Sequence, residues 1–176
     1  MPLLRLLPWL LWVTLVLFSV ATYSTLPEQI PQHLNAAGEV TRTMQRSMGS
    51  WLLLPGIAGL TLGLLSWCAV LVTRNPKYFN FPDKERFLKI PAEFHAPVTT
   101  RMRETLDVTG VFLILVMGYV QVMMWRSALG ANVQGMSLGL LIATIFFAPG
   151  ILILTSRVNA AVDVAERRWK ASERTR

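Results

Sequence analysis

Charge is scarce in this chain. Only 15% of its 176 residues are Asp, Glu, Lys or Arg, against about 25% in an ordinary soluble domain. Cysteine is nearly absent, and the single Cys68 forms no intramolecular disulfide and offers no metal-ligand spacing. It reads as a small apolar packing residue. Only two histidines are present, His33 and His95. No paired-His zinc motif, phosphate loop or nucleophile elbow occurs, so the chain carries no recognisable catalytic signature. No Asp, Glu, Lys or His stands deep within an apolar run, which argues against a proton-coupled pump. The expectation is therefore a protein that is not an enzyme and that uses no cofactor and no metal.

Long uncharged runs fill the space that charge leaves. Twenty-two uncharged residues separate Arg5 from Glu28, 27 separate Arg46 from Arg74, 18 separate Asp107 from Arg126, and 30 separate Arg126 from Arg157. A helix needs about 20 mostly apolar residues to cross the hydrocarbon core of a bilayer. Each run holds one span and is too short for two. The spans are expected near residues 4–23, 51–73, 107–126 and 135–156, as helices, because lipid cannot satisfy open backbone polar groups. The fold expected is an all-α, four-helix membrane bundle made as one integral domain over residues 1–176.

The net charge of +7 would suit a nucleic-acid binder in a soluble protein. Here the basic residues flank the apolar runs, so they report orientation and no nucleic acid is expected. Fourteen of the 17 Lys and Arg residues lie in the N-terminus, the 74–106 loop and the 158–176 tail with its flanking Arg157. Arg42, Arg46 and Arg126 make up the remainder. The positive-inside rule then places both termini and the 74–106 loop in the cytoplasm, with anionic lipid as the natural neighbour of that side. The first span reads as an uncleaved anchor. A signal peptide, with Arg5 as its charged start and Ser19-Val20-Ala21 near a cleavage site, is the competing reading, disfavoured by the length of the apolar stretch.

Small residues four apart let membrane helices approach closely. Gly59 and Gly63 in the second span and Gly135 and Gly139 in the fourth are at that interval and are candidate packing positions; the alternative is that glycine is simply common in such helices. Pro149-Gly150 is expected to bend the fourth span, and Gln121 to turn into the bundle or the headgroup zone.

The segment between the first two spans, residues 25–42, is the most informative. Its prolines, Pro27 and Pro31, favour extended chain. Asn35 to Gly38 reads as a tight turn with Gly38 free to take a positive φ, and Thr41 or Thr43 as the cap of the next helix. Leu26, Pro27, Ile30, Pro31, His33, Leu34, Asn35, Gly38 and Glu39 stand at the spacing Leu-Pro-x-x-Ile-Pro-x-His-(apolar)-Asn-x-x-Gly-Glu. This pattern resembles a bacterial membrane domain of unknown function found at the start of SdpI-type immunity proteins. Where that family usually carries Pro-Asp, Val40-Thr41 stands here. With its flanking helices the resemblance covers about residues 5–73. It implies a multi-pass protein of the bacterial inner membrane, and in some relatives one that protects the producer from a membrane-active toxin. Pro31, His33, Asn35, Gly38 and Glu39 are thus candidates either for partner binding or for holding the loop together. His33, Asn35 and Glu39 with Glu28 could form a small polar or metal-binding site, but one histidine with carboxylates at irregular spacing is a weak metal signal.

The 74–106 loop interleaves aromatic and basic residues and reads as lying in the headgroup layer, rings inward and charges outward. Pro82 is expected to open a short helix through Leu88, and Thr99 or Thr100 to cap a helix that continues into the third span. The tail reads as a helical extension. The function expected is that of an immunity-type binding protein that occludes a pore-forming toxin. A small transporter or channel subunit, and an assembly or sensor subunit with a cytoplasmic partner, are the alternatives.

Overall fold

The computed structural model describes residues 2–175 apart from Ala36 and Pro82. The chain is mostly helical, and among the described residues four helices are long and apolar enough to cross a membrane. In order, the elements are α1 (Pro2–Thr22), strands β1 (Gln29–Leu34) and β2 (Val40–Gln45), the single turn α2 (Met48–Trp51), α3 (Leu53–Arg74), the short α4 (Lys84–Leu88), α5 (Ala96–Ala128) and α6 (Gln134–Arg174). The charge-bounded runs locate these helices, but α5 and α6 extend well beyond them. α5 starts 11 residues before Asp107, and α6 continues through the tail to Arg174.

The segment expected as extended chain, a tight turn and a helix cap is an antiparallel hairpin, with the extended chain paired as a strand on each side of the turn, so the architecture is not purely α. Gln29 pairs with Gln45, Ile30 with Met44, Pro31 with Thr43, His33 with Arg42 and Leu34 with Val40. The register slips on both sides of His33, which leaves Gln32 and Thr41 as extra residues; such bulges twist a ribbon and re-aim its side chains. Thr41 and Thr43 therefore lie in a strand and cap nothing. The cap belongs to Ser47: its hydroxyl accepts from the Ser50 amide at 3.0 Å, and the Ser50 hydroxyl accepts from the Ser47 amide at 2.9 Å. Reciprocal capping of this kind satisfies two donors that a helix start leaves open. Ser47→Ala should lower stability by about 1 kcal/mol, read as a shift in the unfolding midpoint of the detergent-solubilised protein. An unchanged midpoint would deny the cap its role.

The backbone divides into two compact units. The first comprises residues 1–63 and 110–147, the second 64–109 and 148–176. In the first unit, Leu15 of α1, Ala58 and Leu62 of α3 and Ile114 of α5 form one core cluster. Trp12 of α1 is fixed beside it, its indole N–H donating to the Pro55 carbonyl at 2.9 Å. A second cluster joins the hairpin to the helices: Leu26, Ile30 and Trp51 are buried, with Met44, Met124 and Trp125 packed on them. Polar groups here are paired. The Trp51 indole N–H donates to the Ser19 carbonyl at 2.8 Å, and the Gln121 amide donates to the Trp51 carbonyl at 3.2 Å. Gln121 is fully buried, as a polar side chain in an apolar span must be unless it reaches water.

The second unit is built around Phe87, which has no exposed surface and packs with Val72, Ile90, Val98, Met102, Val158 and Val162. Phe81 meets Phe87 edge-on with centroids 5.3 Å apart. The His95 ring lies 4.0 Å from Phe87 and bonds to the Ile90 carbonyl at 2.7 Å. Most aromatic rings of this loop thus fill the protein's own core rather than facing lipid; Tyr78 is the exception among them, at 74% exposure. Pro82, expected to open the short helix, lies outside the described residues, and Asp83 precedes that helix in the left-handed region at φ 58° with no side-chain cap bond. Thr99 and Thr100 lie inside α5, which begins at Ala96, and so do not cap it. On the surface, Arg86 reaches Asp163 at 2.6 Å and Glu166 at 2.5 Å. Its hydrogen bonds to Glu166 first and Asp163 second raise the guanidinium pKa above its ordinary value.

Candidate functional site: a groove beneath the hairpin

Asn35 builds the turn at the hairpin tip. Its carbonyl oxygen Oδ1 accepts from the Ala37 amide at 3.0 Å and the Glu39 amide at 2.9 Å, while its Nδ2 donates to the Glu39 carboxylate at 2.8 Å. Its backbone closes the same turn, the Asn35 amide donating to the Glu39 carbonyl and the Gly38 amide to the Asn35 carbonyl, both at 2.9 Å. Gly38 holds φ 83°, a conformation that glycine adopts without steric penalty. Asn35, Gly38 and Glu39 are therefore engaged with one another, and their bonds define the turn. Pro31 is buried at the inner side of β1, where it lines a cavity of about 180 Å³ together with Trp51 and Gln121.

His33 differs from these neighbours. It is exposed on β1. Its carbonyl accepts from the Thr41 hydroxyl at 3.3 Å, but among the described residues its imidazole has no hydrogen-bond partner. With Gln32, Leu34 and Asn35 it forms one wall of a groove of about 630 Å³. The opposite wall is apolar: Val120, Met123 and Met124 of α5, and Leu138, Leu140 and Leu141 of α6, with the hydroxyl-bearing Thr144 also on α6. Methionine side chains are unbranched and adapt to irregular surfaces. A wall of methionine and leucine facing a strand with amide and imidazole groups suits an amphipathic ligand, apolar along one side and hydrogen-bonding along the other. Among the described residues no group of three or more His, Cys, Asp or Glu is placed to hold a metal ion.

The four glycines marked as packing positions occupy unlike surroundings. A methyl group at Gly59 would lie 2.6–2.9 Å from the Trp12 indole, and one at Gly139 would lie 2.8 Å from the Tyr119 hydroxyl. At Gly63 and Gly135 it would meet nothing within 4 Å. A methyl group at Gly110 would lie 3.1 Å from Leu62 and 3.5 Å from Pro8; Gly110 lies outside any four-residue pattern of small residues, which is why that pattern misses it. The apolar wall of the groove carries no sequence signal either, since a leucine or methionine facing a groove is indistinguishable in sequence from one facing lipid.

No curated protein and no solved structure matches this chain. The segment that contains α1 from Leu10 onward, the hairpin, α2 and the start of α3 does match a family model. Residues 10–59 are similar to the domain described as a domain of unknown function, DUF1648.

Proposed function

We propose that this chain is an immunity-type protein of the bacterial inner membrane, which protects its host by binding a membrane-acting toxin in the groove beneath the hairpin. The distribution of Lys and Arg supports an orientation with both termini in the cytoplasm and the hairpin outside. The groove would then open where a toxin arriving from outside meets the membrane. The observation that carries the reading is the pairing of an apolar helix wall with a strand bearing an imidazole that lacks a hydrogen-bond partner among the described residues. A pore-forming peptide is amphipathic by necessity, and its apolar face would pack on Met124, Leu138 and Leu141. Its polar side would be met by His33 and Gln32. Held there, a toxin helix cannot join others to form a pore. Binding of this kind requires shape and desolvation and no bond-making groups.

Survival of cells beside toxin-producing siblings tests the proposal. His33→Ala is expected to leave membrane levels of the protein unchanged while reducing protection, and Leu141→Asp, which puts a charge on the exposed part of the apolar wall, should abolish it. Full protection by both variants at normal protein levels would overturn the assignment of the groove. Unchanged survival of a deletion strain would overturn the immunity reading itself.

A further inference from the structure

The second unit contains a cleft of quite different chemistry. It has a volume of about 640 Å³ and lies between the first turns of α5 and the charged half of α6. Arg101, Arg157 and Arg168 line it, against one carboxylate, Glu104. Glu104 is already paired with Arg101 at 2.5 Å. Among the described residues Arg157 and Arg168 take no carboxylate partner, although Asp163 and Glu166 stand nearby on the same helix and are engaged by Arg86. The 11-residue separation of Arg157 and Arg168 is close to three full helical turns, so both guanidinium groups project from one face of α6. Between them lie Ala160, Ala161 and Val164, whose small side chains leave the cleft open. The Thr100 hydroxyl adds a neutral donor on the opposite wall.

Position adds to charge. Arg157 is the first charged residue after the 30-residue uncharged run, and Glu104 lies three residues before Asp107, where the third run begins. The cleft therefore sits at the end of the apolar stretches, where a helix that crosses a bilayer would meet the lipid phosphates. We infer that Arg101, Arg157 and Arg168 form a binding site for a phosphate-bearing anion, of which an anionic phospholipid headgroup is the source nearest to hand. Guanidinium groups match phosphate oxygens with two parallel hydrogen bonds, which ammonium groups do not. The cleft volume accommodates a phosphoglycerol group, and its alanine floor leaves a path for the glycerol backbone toward the apolar stretch.

The test uses the full chain in detergent micelles. Phosphatidylglycerol and phosphatidylcholine with identical acyl chains are titrated in, and lipid-bound species are read by native mass spectrometry. The wild-type protein is expected to retain phosphatidylglycerol about tenfold better than phosphatidylcholine. Arg157→Ala with Arg168→Ala should remove that preference, whereas Arg74→Ala with Arg174→Ala, which removes the same charge outside the cleft, should keep it. Arg157→Lys with Arg168→Lys preserves charge without the fork and should fall between. A second arm titrates sodium phosphate without lipid and follows the unfolding midpoint. A rise in the wild type that the double alanine variant lacks, without a lipid preference, would identify a soluble phosphate as the ligand of the same site. Equal retention of both lipids together with no response to phosphate would overturn the inference, as would a preference that survives in the double alanine variant.

Discussion

Trp51→Ala is expected to destabilise the first unit by about 3–5 kcal/mol, the range for deleting a buried aromatic side chain from a core. Trp51 is 2% exposed and packs with Leu26 and Ile30 at the base of the hairpin. Its indole N–H also donates to the Ser19 carbonyl at 2.8 Å, so the ring joins α1 to α2. Removal leaves a void that the neighbouring strand cannot fill without breaking its pairing with β2. Trp51→Phe keeps most of the apolar contact and loses the hydrogen bond, and should cost about 1 kcal/mol beyond the volume change. Denaturant titration in micelles distinguishes the two. If alanine and phenylalanine cost the same small amount, Trp51 does not anchor the hairpin. Because Ile30 precedes the groove wall by only two residues, the alanine variant should also fail to protect in the survival assay.

Gly59→Ala should destabilise by about 1–3 kcal/mol, the usual cost of forcing a methyl group into a filled space. Replacing glycine by alanine within a helix ordinarily stabilises it, by up to about 1 kcal/mol. The sign reverses here because the new methyl would meet the Trp12 indole at 2.6–2.9 Å. The indole cannot simply move aside, since its N–H is held by the Pro55 carbonyl. The comparison with Gly63→Ala sharpens the test: that methyl enters open space, so the helix-propensity gain should survive. Trp12→Leu combined with Gly59→Ala should recover much of the loss, a non-additivity expected only of residues in contact. Equal effects at Gly59 and Gly63 would refute the contact.

Much of this architecture can be read from charge alone. A charged side chain is costly in lipid, so the distances from Arg5 to Glu28 and from Arg126 to Arg157 locate helices irrespective of their packing. The same criterion does not see where a helix continues past the uncharged run; those extensions are legible instead from Thr99 and Thr100 and from the mixed charges of the tail, and α5 begins at Ala96, three residues before Thr99, while α6 persists to Arg174. The turn at Asn35 is legible because its chemistry is local: the side chain bonds to amides two and four residues ahead. The strands around it are not, because the bulges at Gln32 and Thr41 break the alternation that marks a ribbon, and Thr41 and Thr43 resemble caps as readily as strand residues. Of the groove, His33 and Asn35 are visible in the sequence through their motif. The wall that faces them depends on which side of α5 and α6 turns toward the hairpin, and apolar composition does not record that.

The core around Phe87 has a thermodynamic character of its own. Helices in lipid gain nothing from merging their apolar sides, since acyl chains are as oily as leucine. The segments that enclose Phe87 instead carry many of the chain's Lys, Arg, Asp and Glu residues, as segments bathed in water do. If those segments lie in water, the exclusion of water supplies the drive, strengthened by sulfate and weakened by urea or by cooling. The expected result is two kinds of cohesion in one polypeptide, with urea dissolving the core around Phe87 at concentrations that leave the cluster of Leu15, Ala58, Leu62 and Ile114 intact.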